Sequence, residues 1–239
     1  MKEYFHHWYS QYLGKEIEML VFGHEGYPVI LFPTEQGKYY DAKDFGIIQS
    51  AEELIYNGKI KIYCPESFDS FCWYNYHISP PERVQNYLKV EEMVLKDVLE
   101  FAKFDSGYDK VALAGLSFGA YTAMNIAFKY PEKIGYLICV GGMLDIHRFI
   151  LGHYDDECYY NNPSDYLPGL NDEKLLSAIK AIGIAIGIGN NDDFLFENLR
   201  ISRILLEKNI NHWLDVREGF GHDWHWWKEM FANYLSFIK

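Results

Sequence analysis

Apolar residues along the chain fall into short blocks of two kinds. Residues 17–22, 28–32, 60–64, 111–114, 136–140, 182–188 and 212–216 are compact, largely β-branched runs, the pattern of strands. Those at 28–32, 111–114, 136–140 and 182–188 show little polar alternation, as strands covered on both faces of a parallel sheet require. Longer stretches with helical spacing lie between them. Residues 81–103 carry Val84, Leu88, Val94, Val98 and Phe101 near one stripe, with proline at the start. Residues 118–129 stop near Tyr130-Pro131, where proline disfavours continuation. Residues 193–208 and 222–238 predict two more helices. Strand and helix alternate from about residue 28, which predicts an α/β fold: a mostly parallel central sheet, right-handed crossovers and helices on both faces. The runs at 17–22 and 28–32, joined at Gly23–Gly26, predict an antiparallel hairpin at one edge. Residues 144–169, rich in Tyr, Asp, Asn and Pro, predict an irregular excursion of the kind that shapes pockets after strand ends. No repeat or linker interrupts the 239 residues, so residues 1–239 read as one domain.

Chemistry enters at Gly115-Leu116-Ser117-Phe118-Gly119, a G-x-S-x-G between a buried strand and a helix of small residues. A serine on a sharp strand-to-helix turn projects above the sheet beside a helix N-terminus, and the flanking glycines leave room where side chains would collide. The bare pattern arises easily by chance, so its weight comes from the strand before it and the helix after it. Ser117 is the candidate nucleophile.

A serine hydroxyl needs a base, and the base needs an orienting acid. In sheets with this turn the chain order is serine, acid, histidine. Only His212, His222 and His225 follow the 182–188 run. His222 lies in a Gly-flanked segment after the last strand and opens the last predicted helix. His225, a turn later, is expected to pack with Trp226, and His212 belongs to a strand. The acid is expected just after residues 182–188, where Asp192 and Asp193 both stand; one of them reads as a cap or first-turn charge for the next helix. Two backbone N–H groups must receive an oxyanion. Phe118 supplies one, and the loop Pro33-Thr34-Glu35-Gln36-Gly37 supplies the other through Glu35 or its neighbour Thr34.

Composition narrows the picture. A formal net charge of −12 with no Lys/Arg cluster argues against nucleic acid and anionic membrane as partners. The apolar runs are too short to cross a bilayer, and residues 1–12 lack the layout of a signal peptide, so a cytoplasmic location is the expectation. Cys64, Cys72, Cys139 and Cys158 show no paired spacing and read as free thiols. His153-Tyr-Asp155-Asp156-Glu157 fits no standard zinc or calcium loop and reads as a solvated acidic segment. Gly183, Gly187 and Gly189 form no dinucleotide fingerprint, and there is no phosphate-binding loop. No metal or organic cofactor is expected. Phe71-Cys-Trp73-Tyr74-Asn-Tyr76 reads equally as core or as pocket wall.

Together these segments resemble the esterase D, feruloyl esterase and mycolyltransferase branch of the α/β-hydrolase superfamily. The resemblance runs from about Pro28 to Ile238. It rests on Leu31–Gly37, Gly115–Gly119, Tyr130-Pro-Glu-Lys-Ile, Gly189-Asn-Asn-Asp192 and Gly221-His222-Asp-Trp. It implies that the acid falls on Asp192 and the base on His222. Pro33-Thr34 stands where that branch usually has His-Gly, which implies strain at Thr34, because threonine reaches positive φ less easily than glycine.

The expected activity is hydrolysis of small-molecule carboxylic esters through a Ser117–Asp192–His222 triad and an acyl-enzyme, with Phe118 and Glu35 as oxyanion donors. An acyltransferase or thioesterase would use the same residues, and a catalytically silent binding scaffold would keep the fold alone. Oligomeric state is not encoded in any of these features.

Overall fold

The computed structural model describes all of Met1–Lys239. Its eight strands are β1 (Glu3–Ser10), β2 (Lys15–Phe22), β3 (Tyr27–Phe32), β4 (Ile60–Pro65), β5 (Val111–Leu116), β6 (Ile134–Val140), β7 (Gly183–Gly189) and β8 (Trp213–Arg217). They form one sheet in the order β1-β2-β4-β3-β5-β6-β7-β8. From β4 to β8 every neighbouring pair is parallel; β1–β2 and β2–β4 are antiparallel. The short helices α1 (Asp41–Asp44), α2 (Ile47–Ser50) and α3 (Glu52–Tyr56) join β3 to β4. Helices α4 (Pro80–Met93) and α5 (Glu100–Ser106) precede β5, and α6 (Phe118–Lys129) follows it. Four more helices lie between β6 and β7: α7 (His147–Ile150), α8 (Asp156–Tyr160), α9 (Pro163–Gly169) and α10 (Glu173–Lys180). Helices α11 (Leu195–Glu207) and α12 (Trp224–Leu235) flank β8.

The period of two along β5 shows how the layers are built. Val111 and Leu113 face a large core shared with α4, α6 and α11, while Ala112, Ala114 and Leu116 face a smaller core closed by α1–α3 and α12. All six residues of β5 are buried, as the lack of polar alternation requires.

The expected hairpin at Gly23–Gly26 does not form. β4 lies between β2 and β3, pairing Tyr63 with Val21 on one side and Ile62 with Val29 on the other. Every residue of β4 is buried, so it needs a neighbour on both sides and takes the interior position. The hairpin is β1–β2, closed by the Gly14 N–H donating to Ser10 O at 2.8 Å. β1 gives no apolar alternation to read, because most of its side chains are exposed at the sheet edge.

Other boundaries differ for local reasons. The 81–103 stretch is two helices joined by a π-helical turn at Val94–Leu99, and a Ser79/Glu82 capping box sets its start. The 144–169 excursion is not irregular throughout but holds α7, α8 and α9. The last helix starts at Trp224, capped by the Asp223 carboxylate accepting the His225 N–H at 2.7 Å, which leaves His222 in the preceding loop.

Candidate active site

Ser117 stands between β5 and α6 with φ 53° and ψ −120°, a conformation that non-glycine residues avoid. The surroundings hold it there. The Ser117 N–H donates to Val140 O at 3.0 Å, and Ser117 O accepts from Met143 and Ala120, each at 3.1 Å. The flanking glycines are obligatory. A Cβ on Gly115 would lie 2.1 Å from Gly119 O, and one on Gly119 would lie 2.2 Å from Pro33 O. The second contact also shows that the 33–37 loop abuts the serine turn.

His222 reaches the serine from the loop after β8. Its Nε2 lies 2.9 Å from Ser117 Oγ, and its Nδ1 lies 2.9 Å from Asp192 Oδ2. With the Nδ1 proton directed at the carboxylate, the Nε2 lone pair faces the serine hydroxyl. The ring is held edge-on between Phe194 and Trp227, at centroid distances of 5.0 and 4.7 Å. The acid and histidine loops are tied together by backbone: Asn191 N–H donates to Phe220 O at 3.0 Å, and Asn190 N–H to Arg217 O at 2.9 Å.

Asp192 is buried and Asp193 exposed. The expected division, one aspartate for the histidine and one for the helix start, is not what forms. Asp192 Oδ2 meets His222 and its Oδ1 accepts the N–H of Phe194, the N-cap residue of α11, at 2.9 Å, while no side chain caps that helix. The other histidines lie elsewhere. His212 Nε2 pairs with Ser202 Oγ at 2.7 Å, and His225 packs against Trp226 with centroids 4.8 Å apart.

Phe118 is the first residue of α6, so its N–H has no intrahelical acceptor. In the 33–37 loop the left-handed residue is Gln36, at φ 51°, rather than Thr34. The Gln36 N–H donates to Asp69 Oδ2 at 3.1 Å, while the Thr34 and Glu35 N–H groups have no protein acceptor.

Sequence reasoning missed the brace for this loop. Tyr74 OH donates to the Glu35 carboxylate, and its ring meets Phe118 at 5.6 Å and Phe149 at 4.8 Å. Trp73 and Cys72 beside it are core, so the 71–76 segment divides between the two readings it allowed. Burial raises the Asp69 carboxyl to about 6, with the nearby Glu35 carboxylate adding to the shift. Only a polar residue in an aromatic segment could have signalled Asp69, and that signal is weak.

Arg148 lies over the Phe194 ring at 5.1 Å and pairs with Glu197 at 3.2 Å, placing one cation near the histidine. All four cysteines are free and buried. Asp155 caps α8 through the Cys158 N–H at 2.9 Å and meets His153 Nε2 at 2.8 Å, which accounts for that acidic segment. No helix is long and apolar enough to cross a membrane. An apolar groove of about 440 Å³, lined by Tyr136, Ile184, Trp213, Tyr234 and Phe237, opens at the starting ends of β6–β8, the end of the sheet away from Ser117.

A family model described as "Putative esterase" matches residues 10–238. An acetyl esterase from Caldicellulosiruptor saccharolyticus is 22% identical over 207 residues, spanning 78% of this chain and 74% of that protein. A ferulic acid esterase structure superposes with a TM-score of 0.81 at 17% identity, covering 99% of this chain and 97% of the other. An S-formylglutathione hydrolase from Agrobacterium tumefaciens gives a TM-score of 0.77 at 14% identity, covering 99% and 94%. At these identities the structural likeness speaks for the fold.

Proposed function

We propose, from the premise that this chain belongs to the esterase family of the α/β-hydrolase superfamily and is a carboxylesterase-type serine hydrolase, that Ser117, His222 and Asp192 are its catalytic triad. Ser117 Oγ attacks the acyl carbon of a small ester while His222 Nε2 takes its proton. The tetrahedral intermediate collapses as the imidazolium protonates the departing alcohol. The resulting acyl-enzyme is cleared by a water that His222 deprotonates in turn. Asp192 keeps the imidazole in the required tautomer and stabilises its cation. The Phe118 and Glu35 N–H groups receive the oxyanion in both steps. None of these steps calls on a metal or organic cofactor.

One observation carries this reading: an unbroken line of contacts, 2.9 Å from Ser117 Oγ to His222 Nε2 and 2.9 Å from His222 Nδ1 to Asp192 Oδ2. The strained backbone at Ser117 supports it, because such strain collects where geometry serves chemistry. The aromatic richness of the chain, 16 Phe, 20 Tyr and 6 Trp, favours short or aromatic acyl groups. Acetyl and feruloyl esters therefore head the substrate panel, in line with the names of the relatives. Free buried thiols fit a reducing, cytoplasmic setting.

The test is hydrolysis of p-nitrophenyl acetate together with labelling by a fluorophosphonate probe. The wild type is expected to do both. Ser117→Ala and His222→Ala are expected to lose at least about a thousandfold in kcat/KM, and Ser117→Ala to abolish labelling. A wild type that neither turns over esters nor labels would overturn the triad reading and leave a silent scaffold.

A further inference from the structure

The 33–37 loop is held from one side by residues 67–74. Ser67 N–H donates to Gly37 O at 3.1 Å, Ser70 Oγ to Gln36 Oε1 at 3.3 Å, and Tyr74 OH to the Glu35 carboxylate. The remaining contact comes from Asp69, whose Oδ2 accepts the Gln36 N–H at 3.1 Å. Asp69 is only 9% exposed, although Glu35 and Gln36 are both on the surface.

Two features mark this carboxyl out. The first is the residue it holds. Gln36 is the left-handed residue of the loop, and a non-glycine side chain keeps that conformation only where the surroundings over-determine it. The second is its lack of a cation. The buried Glu91 carboxylate is paired with Lys129 at 2.7 Å, whereas Asp69 has no Lys, Arg or His partner. The titratable groups facing Asp69 are Glu35, Tyr74 and the Cys72 thiol, none of them cationic. Burying an acid without a cation works against folding, so the fold alone gives no reason for an acid here.

The peptide that Asp69 fixes adjoins the one carrying the Glu35 N–H. With the Gln36 N–H engaged inward, the Glu35 N–H is left without a protein acceptor, in a loop that touches the nucleophile turn at Gly119. We propose that Asp69 is a positioning residue, its carboxyl oxygen holding the Gln36 N–H so that the adjacent Glu35 N–H stays oriented for the oxyanion. The assignment rests on the Ser117 reading and on Glu35 as second donor. It extends the catalytic apparatus to a residue that never touches substrate.

The experiment compares Asp69→Leu, of similar volume but without an acceptor, with Asp69→Asn, which keeps an acceptor oxygen and removes the charge. Each is assayed on p-nitrophenyl acetate at pH 8, with circular dichroism to check folding and active-site titration to count competent molecules. Asp69→Leu is expected to lose at least about tenfold in kcat with KM within about twofold, because the missing interaction belongs to the transition state. Asp69→Asn is expected to recover most of that rate. Asp69→Ala replaces the leucine variant should that one not fold. A leucine variant with wild-type kcat per titrated site would overturn the assignment, and so would an asparagine variant as slow as the leucine one. A wild type that neither hydrolyses nor labels would instead bring down the Ser117 reading, and this proposal with it.

Discussion

Asp192 Oδ2 lies 2.9 Å from His222 Nδ1, although the two residues are 30 positions apart in the chain, and the carboxylate that makes this contact is fully buried. Its other oxygen holds the Phe194 N–H, so the acid is fixed at both ends before it meets the histidine. Asparagine at 192 would keep the shape but present an amide N–H or a neutral oxygen to the ring, and it would lose the charge that stabilises the imidazolium. Asp192→Asn is therefore expected to lower kcat by about three to four orders of magnitude. Asp193→Asn, on the exposed neighbour, is expected to stay within about threefold. Steady-state ester hydrolysis by the two variants, side by side, checks the choice.

The strain at Ser117 has a thermodynamic signature. Glycine reaches φ 53° and ψ −120° with little cost, whereas alanine suffers as serine does. Both Ser117→Gly and Ser117→Ala are expected to be inactive. The glycine variant should nevertheless be more stable than the alanine variant by about 1–2 kcal/mol, net of glycine's extra unfolded-state entropy. Urea denaturation midpoints at equal slope provide the comparison.

Burial gives Asp69 a pH-dependent effect on stability. Its carboxyl is raised from the ordinary 3.8 to about 6, so the folded chain holds a proton there that the unfolded chain has released. The resulting contribution is fully present below about pH 4 and is lost as pH rises through about 6. A shift of this size corresponds to on the order of 3 kcal/mol. The difference in unfolding free energy between Asp69→Asn and wild type is expected to move in favour of the variant across that window and to level off above it. Chemical denaturation at several pH values measures this difference, in which the other titrating groups cancel.

Arg83 is 2% exposed and has no carboxylate partner. Its guanidinium donates to three carbonyls, Asn75 O at 2.8 Å, Phe149 O at 2.6 Å and Ile78 O at 3.2 Å, and lies 4.6 Å from the centre of the Tyr76 ring. It thus joins α4 and the 75–78 segment to α7, whose Phe149 ring meets Phe118 at 5.2 Å. Arg83→Met removes the guanidinium donor from all three carbonyls, of which Asn75 O keeps only the Ile78 N–H at 3.4 Å, and is expected to cost on the order of 3 kcal/mol. Arg83→Lys cannot reproduce the planar fork and is expected to recover only part of that loss. Thermal unfolding of the two variants, with ester hydrolysis on the folded fraction, tests both expectations.

The chain's own order of residues determined the kind of elements and the kind of chemistry. Uninterrupted apolar runs at β3, β5, β6 and β7 mark strands covered on both faces, because burial on two sides leaves no polar positions. Gly115-Leu-Ser117-Phe-Gly119 marks the turn, because only glycine fits where the crossing backbone comes within 2.2 Å of a Cβ. These are short-range constraints, written in neighbouring residues.

Tertiary structure decided which elements became neighbours and which groups meet. β4 entered between β2 and β3 because a strand buried along its whole length needs partners on both edges, a demand invisible in the connecting Gly23–Gly26. The exposed strand β1 carried no readable period. Asp192 and Asp193 are chemically equal in the sequence and differ only in which one the turn after β7 points inward. Asp69 left only the weak mark of a polar residue in an aromatic segment. The role proposed for it depends on the Gln36 N–H, 33 positions earlier, and a single hydrogen bond between distant segments leaves no periodic trace in either of them.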